Sequence, residues 1–246
     1  MPRKTELASL RKIAVRIGES SNSLPAVPIT GFMAMVGSQF RGDLMVVGRS
    51  VNGWTRGLQP QEFSDRNSLE TFLDNVYESA TSGKPCPMQW VSQRWGNYDH
   101  DYNTRKSAFW RVIRRVVGEL QIADVERPEW PSYLLWSNLY KFAPEKGGNP
   151  SSTLCNIQLD GCKSLLRKEI EKYRPKRILF LTGIGWAEPF IAKIQITTIP
   201  AQQYVEGVGR LDGPQQLQSC VVVVTHPQGK KEDIWVREVM NAFDNC

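Results

Sequence analysis

The chain predicts an α/β fold, a three-layer sandwich with a central, mostly parallel sheet. Three observations carry that expectation. Short continuous aliphatic runs, such as residues 44–48 and 221–224, lack the alternation of a half-exposed strand and suit strands covered on both faces. Amphipathic stretches of helical period lie between such runs. The composition, 41% hydrophobic and 23% charged over 246 residues, is that of an ordinary globular chain. Strands separated by helices imply parallel pairing with right-handed crossovers.

The elements follow in order. Residues 1–40 read as an N-terminal extension to one domain spanning 1–246. Leu44-Met45-Val46-Val47-Gly48 follows the turn-like Arg41-Gly42-Asp43 and is the first core strand. NSLETFLDNVYESATSG, residues 67–83, predicts a helix capped at Asn67 or Ser68 and stopped at Gly83. Residues 84–104 break the rhythm with prolines, Trp90, Trp95, two tyrosines and Asp99-His100-Asp101. A long aromatic connection of this kind argues for an ordered lid or insertion rather than disorder. Residues 104–121 predict a helix with Phe109, Val112, Ile113, Val116 and Val117 on one face and arginines opposite.

Residues 133–139 form the second strand, after the breaker RPEWPS. The helix of residues 151–174 starts at a Ser/Thr cap and stops before Pro175, and residues 177–183 form the third strand. Residues 196–200 suit an edge strand, 221–224 the last core strand, and EDIWVREVMNAF a closing helix.

Several classes are excluded or weakened by composition. No run of about 18 apolar residues exists, so no membrane span is expected. The charged start MPRKTELASLRKIAVRI lacks the apolar core of a secretory signal, so the expected location is the cytoplasm. Cys86, Cys155, Cys162, Cys220 and Cys246 are odd in number and scattered, and read as reduced thiols rather than a disulfide framework or metal site. The net charge of +6 and a pI near 9.1 permit a polyanionic partner without requiring one.

In open α/β sheets ligands bind beyond the carboxyl ends of the strands. Those exits here are GRSVNGW (48–54), SNLYKFAPEKGGNP (137–150), TGIGW (182–186) and THPQGKK (225–231). The order of a strand with G-x-x-x-N-G, a strand with N-L-Y and a Gly-Asn-Pro tail, a capped helix, and a strand with T-H-P resembles the uracil-DNA glycosylase superfamily. The resemblance covers roughly residues 40–60 and 130–243. It implies a base-excision enzyme that hydrolyses an N-glycosidic bond; that chemistry requires no metal, the cysteines that hold iron–sulfur in some family members are not evident, and a monomer without cofactor is expected. In that family the first motif carries a water-positioning Asp or Asn, and a His after the last strand supports the departing base. The chain departs from the pattern at two places. Ser50 aligns best with the water activator, Asn52 lies two residues later, and Gln228 replaces the serine after His226-Pro227.

The chemistry assigns roles on that basis. Cleavage builds negative charge on the base, so the site needs a donor there, an oriented water and a stacked wall. His226 is the natural donor, and Ser50 or Asn52 would position the water. Asn138 would read the base edge, Gly48 and Arg49 would approach the pocket, and Trp54, Tyr140 or Phe142 would stack on an extruded base. Gln228, Lys230 and Lys231 would contact DNA, double-stranded with a flipped base or single-stranded. Blander roles compete: a tight turn for the glycines, a solvated face for the arginines of FWRVIRRVV, a polar loop for His100, and core for most of the eight tryptophans. The altered first motif and the aromatic insertion favour a modified cytosine of bacteriophage DNA, excised as antiviral defence, over uracil repair. A non-catalytic reader of modified DNA is the reading from another class. A phosphate-binding glycine loop would instead mark a nucleotide enzyme, and GRSVNGW matches it poorly.

Overall fold

The computed structural model describes residues 4–51, 53–82, 86–100, 102–192, 195–197, 202–212 and 218–246. In chain order the elements are α1 (Lys4–Glu19), β1 (Ile29–Gly31), β2 (Met35–Val36), β3 (Leu44–Gly48), α2 (Arg66–Thr81), α3 (Gln89–Gln93), α4 (Ala108–Glu119), β4 (Leu134–Asn138) and β5 (Phe142–Pro144). They continue with α5 (Ser152–Tyr173), β6 (Arg177–Phe180), α6 (Ile184–Ile191), β7 (Gln195–Thr197), β8 (Val205–Asp212), β9 (Gln218–Val224) and α7 (Glu232–Asp244). The protein is therefore mixed α/β, with parallel strands in the middle of its main sheet. The chain divides into two compact units, each drawn from three separate stretches.

The first unit comprises residues 1–34, 48–82 and 137–172. Its core is helical. α1 buries Leu10, Ile13, Ala14 and Ile17, spaced 3, 1 and 3 residues apart as one face of a helix requires. The N-terminal extension therefore includes a packed helix. α1 crosses α5 so closely that a Cβ on Gly161 would lie 2.4 Å from Ile13 Cγ1. α2 is capped by Asp65 rather than by Asn67 or Ser68. The Asp65 carboxylate accepts from the Ser68 amide at 2.8 Å, which holds its carboxyl below the usual range. The predicted stop, Gly83, lies outside the described residues, and Ser82 is the observed C-cap. β1 and β5 make a two-stranded antiparallel ribbon.

The second unit comprises residues 35–47, 83–136 and 173–246 and carries the main sheet. Its order is β2-β4-β3-β6-β9-β8-β7. The β3–β6 and β6–β9 pairs are parallel, while β2–β4, β8–β9 and β7–β8 are antiparallel. Leu44–Val47, Ile178–Phe180 and Val221–Val224 are wholly buried, which accounts for their unalternating sequence. The four expected core strands all form, and β9 begins at Gln218, before the valine run. The expected edge strand appears as Gln195–Thr197, with 198–200 outside the described residues.

α4 buries Trp110, Val112, Ile113, Val116 and Val117, while Phe109 is half-exposed. Its arginines make ion pairs: Arg111 with Glu232 and Arg115 with Asp233, both on α7, and Arg114 with Glu126. The aromatic insertion is ordered where described. Trp90 packs edge-on to Trp110 at 5.5 Å and near Trp136 at 6.0 Å, and Trp95 meets Trp130 at 6.4 Å. These tryptophans therefore join an aromatic cluster of the second unit.

One expectation about the cysteines is corrected. Cys220 and Cys246 form a disulfide, with Cα atoms 5.8 Å apart across 26 positions of sequence. The start of β9 and the end of α7 meet only through the tertiary fold, so spacing along the chain does not reveal the pair. Cys86 and Cys162 are buried free thiols and Cys155 is a half-buried one.

Candidate functional site

The carboxyl ends of β3, β6 and β9 share one edge of the sheet, because these strands are parallel and in register. The described site residues fall into two groups, one in each unit, on the segments that follow β3 and β4 and on the segment that follows β9.

In the first unit, the turns leaving β3 and β4 run side by side. The Leu139 amide donates to Gly48 O and the Tyr140 amide to Arg49 O, both at 2.9 Å. Gly48 is buried, whereas Arg49 and Ser50 are half-exposed. This backbone pairing brings Gly48, Arg49, Asn138 and Tyr140 together. Asn52 lies outside the described residues. Gly53 has φ 63° and its Cβ would lie 3.0 Å from Glu145 O, so a side chain there meets both strain and backbone.

Asn138, at the last position of β4, is 1% exposed, yet its Nδ2 has no hydrogen-bond partner among the described residues. A buried amide left unsatisfied costs about 1–3 kcal/mol. Such a group in a native fold calls for an explanation, and a ligand acceptor is one.

The three proposed stacking residues fare differently. Phe142 is a correction: it is fully buried, with its ring stacked on Phe72 at 6.3 Å and edge-on to Phe63 at 6.1 Å. It is core because β5 pairs with β1 and turns that side chain inward. Tyr140 is 6% exposed. Burial first, then the neighbouring Cys155 thiol, pushes the Tyr140 hydroxyl well above the usual range, so it stays neutral. Trp54 is half-exposed, its indole Nε1 donating to Ser79 Oγ at 3.0 Å and its ring edge-on to Phe32 at 6.3 Å. It is the stacking candidate that keeps an accessible surface.

Beneath this turn lies a buried polar network whose members are absent from the sequence-predicted site. Lys141 and Glu169 are both 0% exposed and ion-paired at 2.9 Å. Ser137 Oγ donates to Glu169 Oε2 at 2.6 Å and accepts from Lys141 Nζ at 2.7 Å. Gln158 accepts from the amides of Lys141 and Phe142 at 3.1 and 3.0 Å and donates to Phe142 O at 2.8 Å. The sequence does carry a signal for it: Gln158 and Glu169 occupy the buried stripe of α5 beside Leu154, Cys162, Leu165 and Leu166. Polar residues at core phase mark an internal network.

In the second unit, His226 follows β9 and is half-exposed. Its Nδ1 accepts from the Gln228 amide at 3.3 Å. An accepting Nδ1 carries no proton, so in the neutral ring the N–H is on Nε2. The turn is held from behind: Trp235 Nε1 donates to Thr225 O at 3.0 Å, the Thr225 amide to Tyr204 O at 2.9 Å, and the Lys230 amide to Pro227 O at 3.0 Å. Gly229 takes φ 70° within it. Gln228, Lys230 and Lys231 are exposed, and Lys230 Nζ lies 6.0 Å from the Tyr204 ring centre.

The β6 exit is differently occupied. Glu206 accepts from the Ile184 amide at 2.6 Å, at the start of α6. A carboxylate already holding the end of that helix competes with any phosphate, which weighs against a nucleotide-binding glycine loop there. His100 is exposed in the aromatic insertion, and Asp101 lies outside the described residues. No helix of the described residues is long and apolar enough to cross a membrane, and no group of three or more potential metal ligands occurs among them. No family model matches the chain, and no curated protein matches it.

Proposed function

We propose that the protein is a monofunctional DNA glycosylase on a three-layer uracil-DNA glycosylase-type fold, hydrolysing the N-glycosidic bond of a flipped-out base. The observation that carries the reading is the Asn138 amide, buried at a strand exit with a donor that is unmatched among the described residues. A pyrimidine presents acceptors on its Watson–Crick edge that such a donor fits. In the second unit, His226 supports the reading: its Nδ1 accepts from the Gln228 amide, so a neutral ring would present its N–H on Nε2 to the departing base oxygen. Exposed Lys230 and Lys231, just beyond, hold phosphates while the base is extruded. Trp54 provides the stacking surface, and Arg49 and Ser50 border the entry, with Ser50 or Asn52 orienting the water.

The favoured substrate is a hydroxymethylated or glucosylated cytosine, because the first motif lacks a carboxylate at Ser50 and departs from the uracil pattern; uracil is the alternative. That same serine favours one second reading, a reader of modified DNA that binds without cleavage.

One experiment separates these readings. Wild-type protein and His226→Ala are incubated with duplexes containing uracil, hydroxymethylcytosine or glucosylated cytosine, and alkali converts abasic sites to strand breaks. Breaks on one substrate that disappear in the variant support the glycosylase and name its base. Binding to modified DNA with no base released supports the reader. A protein that neither releases a base nor binds the DNA refutes both.

A further inference from the structure

We infer that Ser137, Lys141 and Glu169 form an internal clamp whose role is to position Asn138, as positioning residues for base recognition. The inference rests on the glycosylase reading for what Asn138 does, and on geometry alone for how it is held.

Sequence spacing comes first. Ser137 and Lys141 stand at i and i+4 and bracket the turn Asn138-Leu139-Tyr140. Both side chains reach the same carboxylate on α5: Ser137 Oγ to Glu169 Oε2 at 2.6 Å, Lys141 Nζ to Oε1 and Oε2 at 2.9 and 3.0 Å. The Lys141 ammonium also donates to Ser137 Oγ at 2.7 Å, closing a ring of three groups. Gln158, earlier on α5, receives the amides of Lys141 and Phe142. Both ends of the turn are thus tied to one helix, while its middle pairs with Gly48 O and Arg49 O.

Energetics favour a positioning role over a stabilising one. Lys141 and Glu169 are both fully buried. Desolvating two charges largely offsets their attraction, so apolar groups of the same volume are often as good for stability or better. What an ion pair with directed hydrogen bonds does supply is one defined geometry. The element so defined begins at Asn138, whose carboxamide donor is buried and unmatched among the described residues. The turn cannot shift without breaking several buried bonds at once. A donor held in this way meets a base without reorganising, which is the condition for electrostatic preorganisation.

The test is a triple variant, Ser137→Ala/Lys141→Met/Glu169→Leu, which removes the polar ring and refills its volume. Three quantities are compared with wild type: the melting temperature, amide hydrogen exchange at Leu139 and Tyr140, and single-turnover base release with DNA affinity measured separately. The probes are duplexes carrying one hydroxymethylcytosine, one glucosylated cytosine or one uracil. The expected result is a folded protein melting at or above wild type, with faster exchange at both amides. Base release is expected to fall about tenfold or more at saturating enzyme, while the affinity for DNA changes by less than about twofold. A purely structural role predicts unchanged release once the fold is intact.

Wild-type exchange at Leu139 and Tyr140 in the folded triple variant overturns the clamp. Faster exchange with unchanged release overturns its link to Asn138. If wild-type protein releases no base from any of the three duplexes, the glycosylase reading fails and takes that link with it, and the exchange arm then decides the clamp alone. If the triple variant does not fold, Ser137→Ala, which removes only one hydroxyl, takes its place: unchanged exchange again overturns the clamp, and unchanged release again overturns the link.

Discussion

Replacing Asn138 by leucine should make the protein more stable and remove its base-binding donor. The side chain is 1% exposed and its Nδ2 has no partner among the described residues. The unmatched donor costs about 1–3 kcal/mol in the free protein. Leucine has nearly the same branched shape, carries no polar atom, and adds apolar burial at the end of a strand whose five residues are all buried. For a chain of this size each kcal/mol moves the melting temperature by about 2–4 °C, so the expected rise is about 2–12 °C. Calorimetry on the variant and wild type measures it, and alkali-revealed base release from the same preparations measures function. The expected combination is a higher melting temperature with release lost, the trade-off of a site that gives up stability for a ligand. A variant that melts below wild type refutes the reasoning, because the amide must then be satisfied in the free protein. A variant that melts higher but releases base at the wild-type rate refutes the role of Asn138 as base donor.

Three other outcomes follow from the packing. Lys141→Met strands the Glu169 carboxylate at a fully buried position, and chemical denaturation at pH 7 should show a loss of about 3–5 kcal/mol. Cys246→Ser opens the disulfide to Cys220 across 26 positions. On the chain-entropy relation that corresponds to about 3.5 kcal/mol of stability, measured as a difference in denaturation free energy. The Cys162 thiol is pushed up to about 12 by burial, well above its value in the unfolded chain. Its contribution to stability is therefore complete below about pH 8.5 and is lost as pH rises toward 12, by about 1.4 kcal/mol per unit. Cys162→Ala should flatten that alkaline decline relative to wild type in a pH series of unfolding curves.

Much of this protein is legible in its sequence, for local reasons. The aliphatic runs at 44–48 and 221–224 are fully buried strands because an unbroken β-branched or aliphatic stretch has no face to give to solvent. The amphipathic period of residues 108–119 is α4, and Pro175 follows the end of α5. The candidate residues His226, Asn138 and Arg49 stand at strand exits, as their order along the chain implies. Tertiary structure alone decides what depends on distant partners. Phe142 is core because β1, more than a hundred residues earlier, pairs with its strand. The Cys220–Cys246 disulfide depends on α7 returning to the entrance of β9. Lys141 and Glu169, 28 positions apart, are ordinary surface residue types until α5 folds over the β4 exit and buries both. Local pattern encodes which elements form and which way they face. Which polar atoms end up buried, matched or unmatched is set by the packing of elements remote in sequence, and the Asn138 donor and the clamp beneath it are features of that kind.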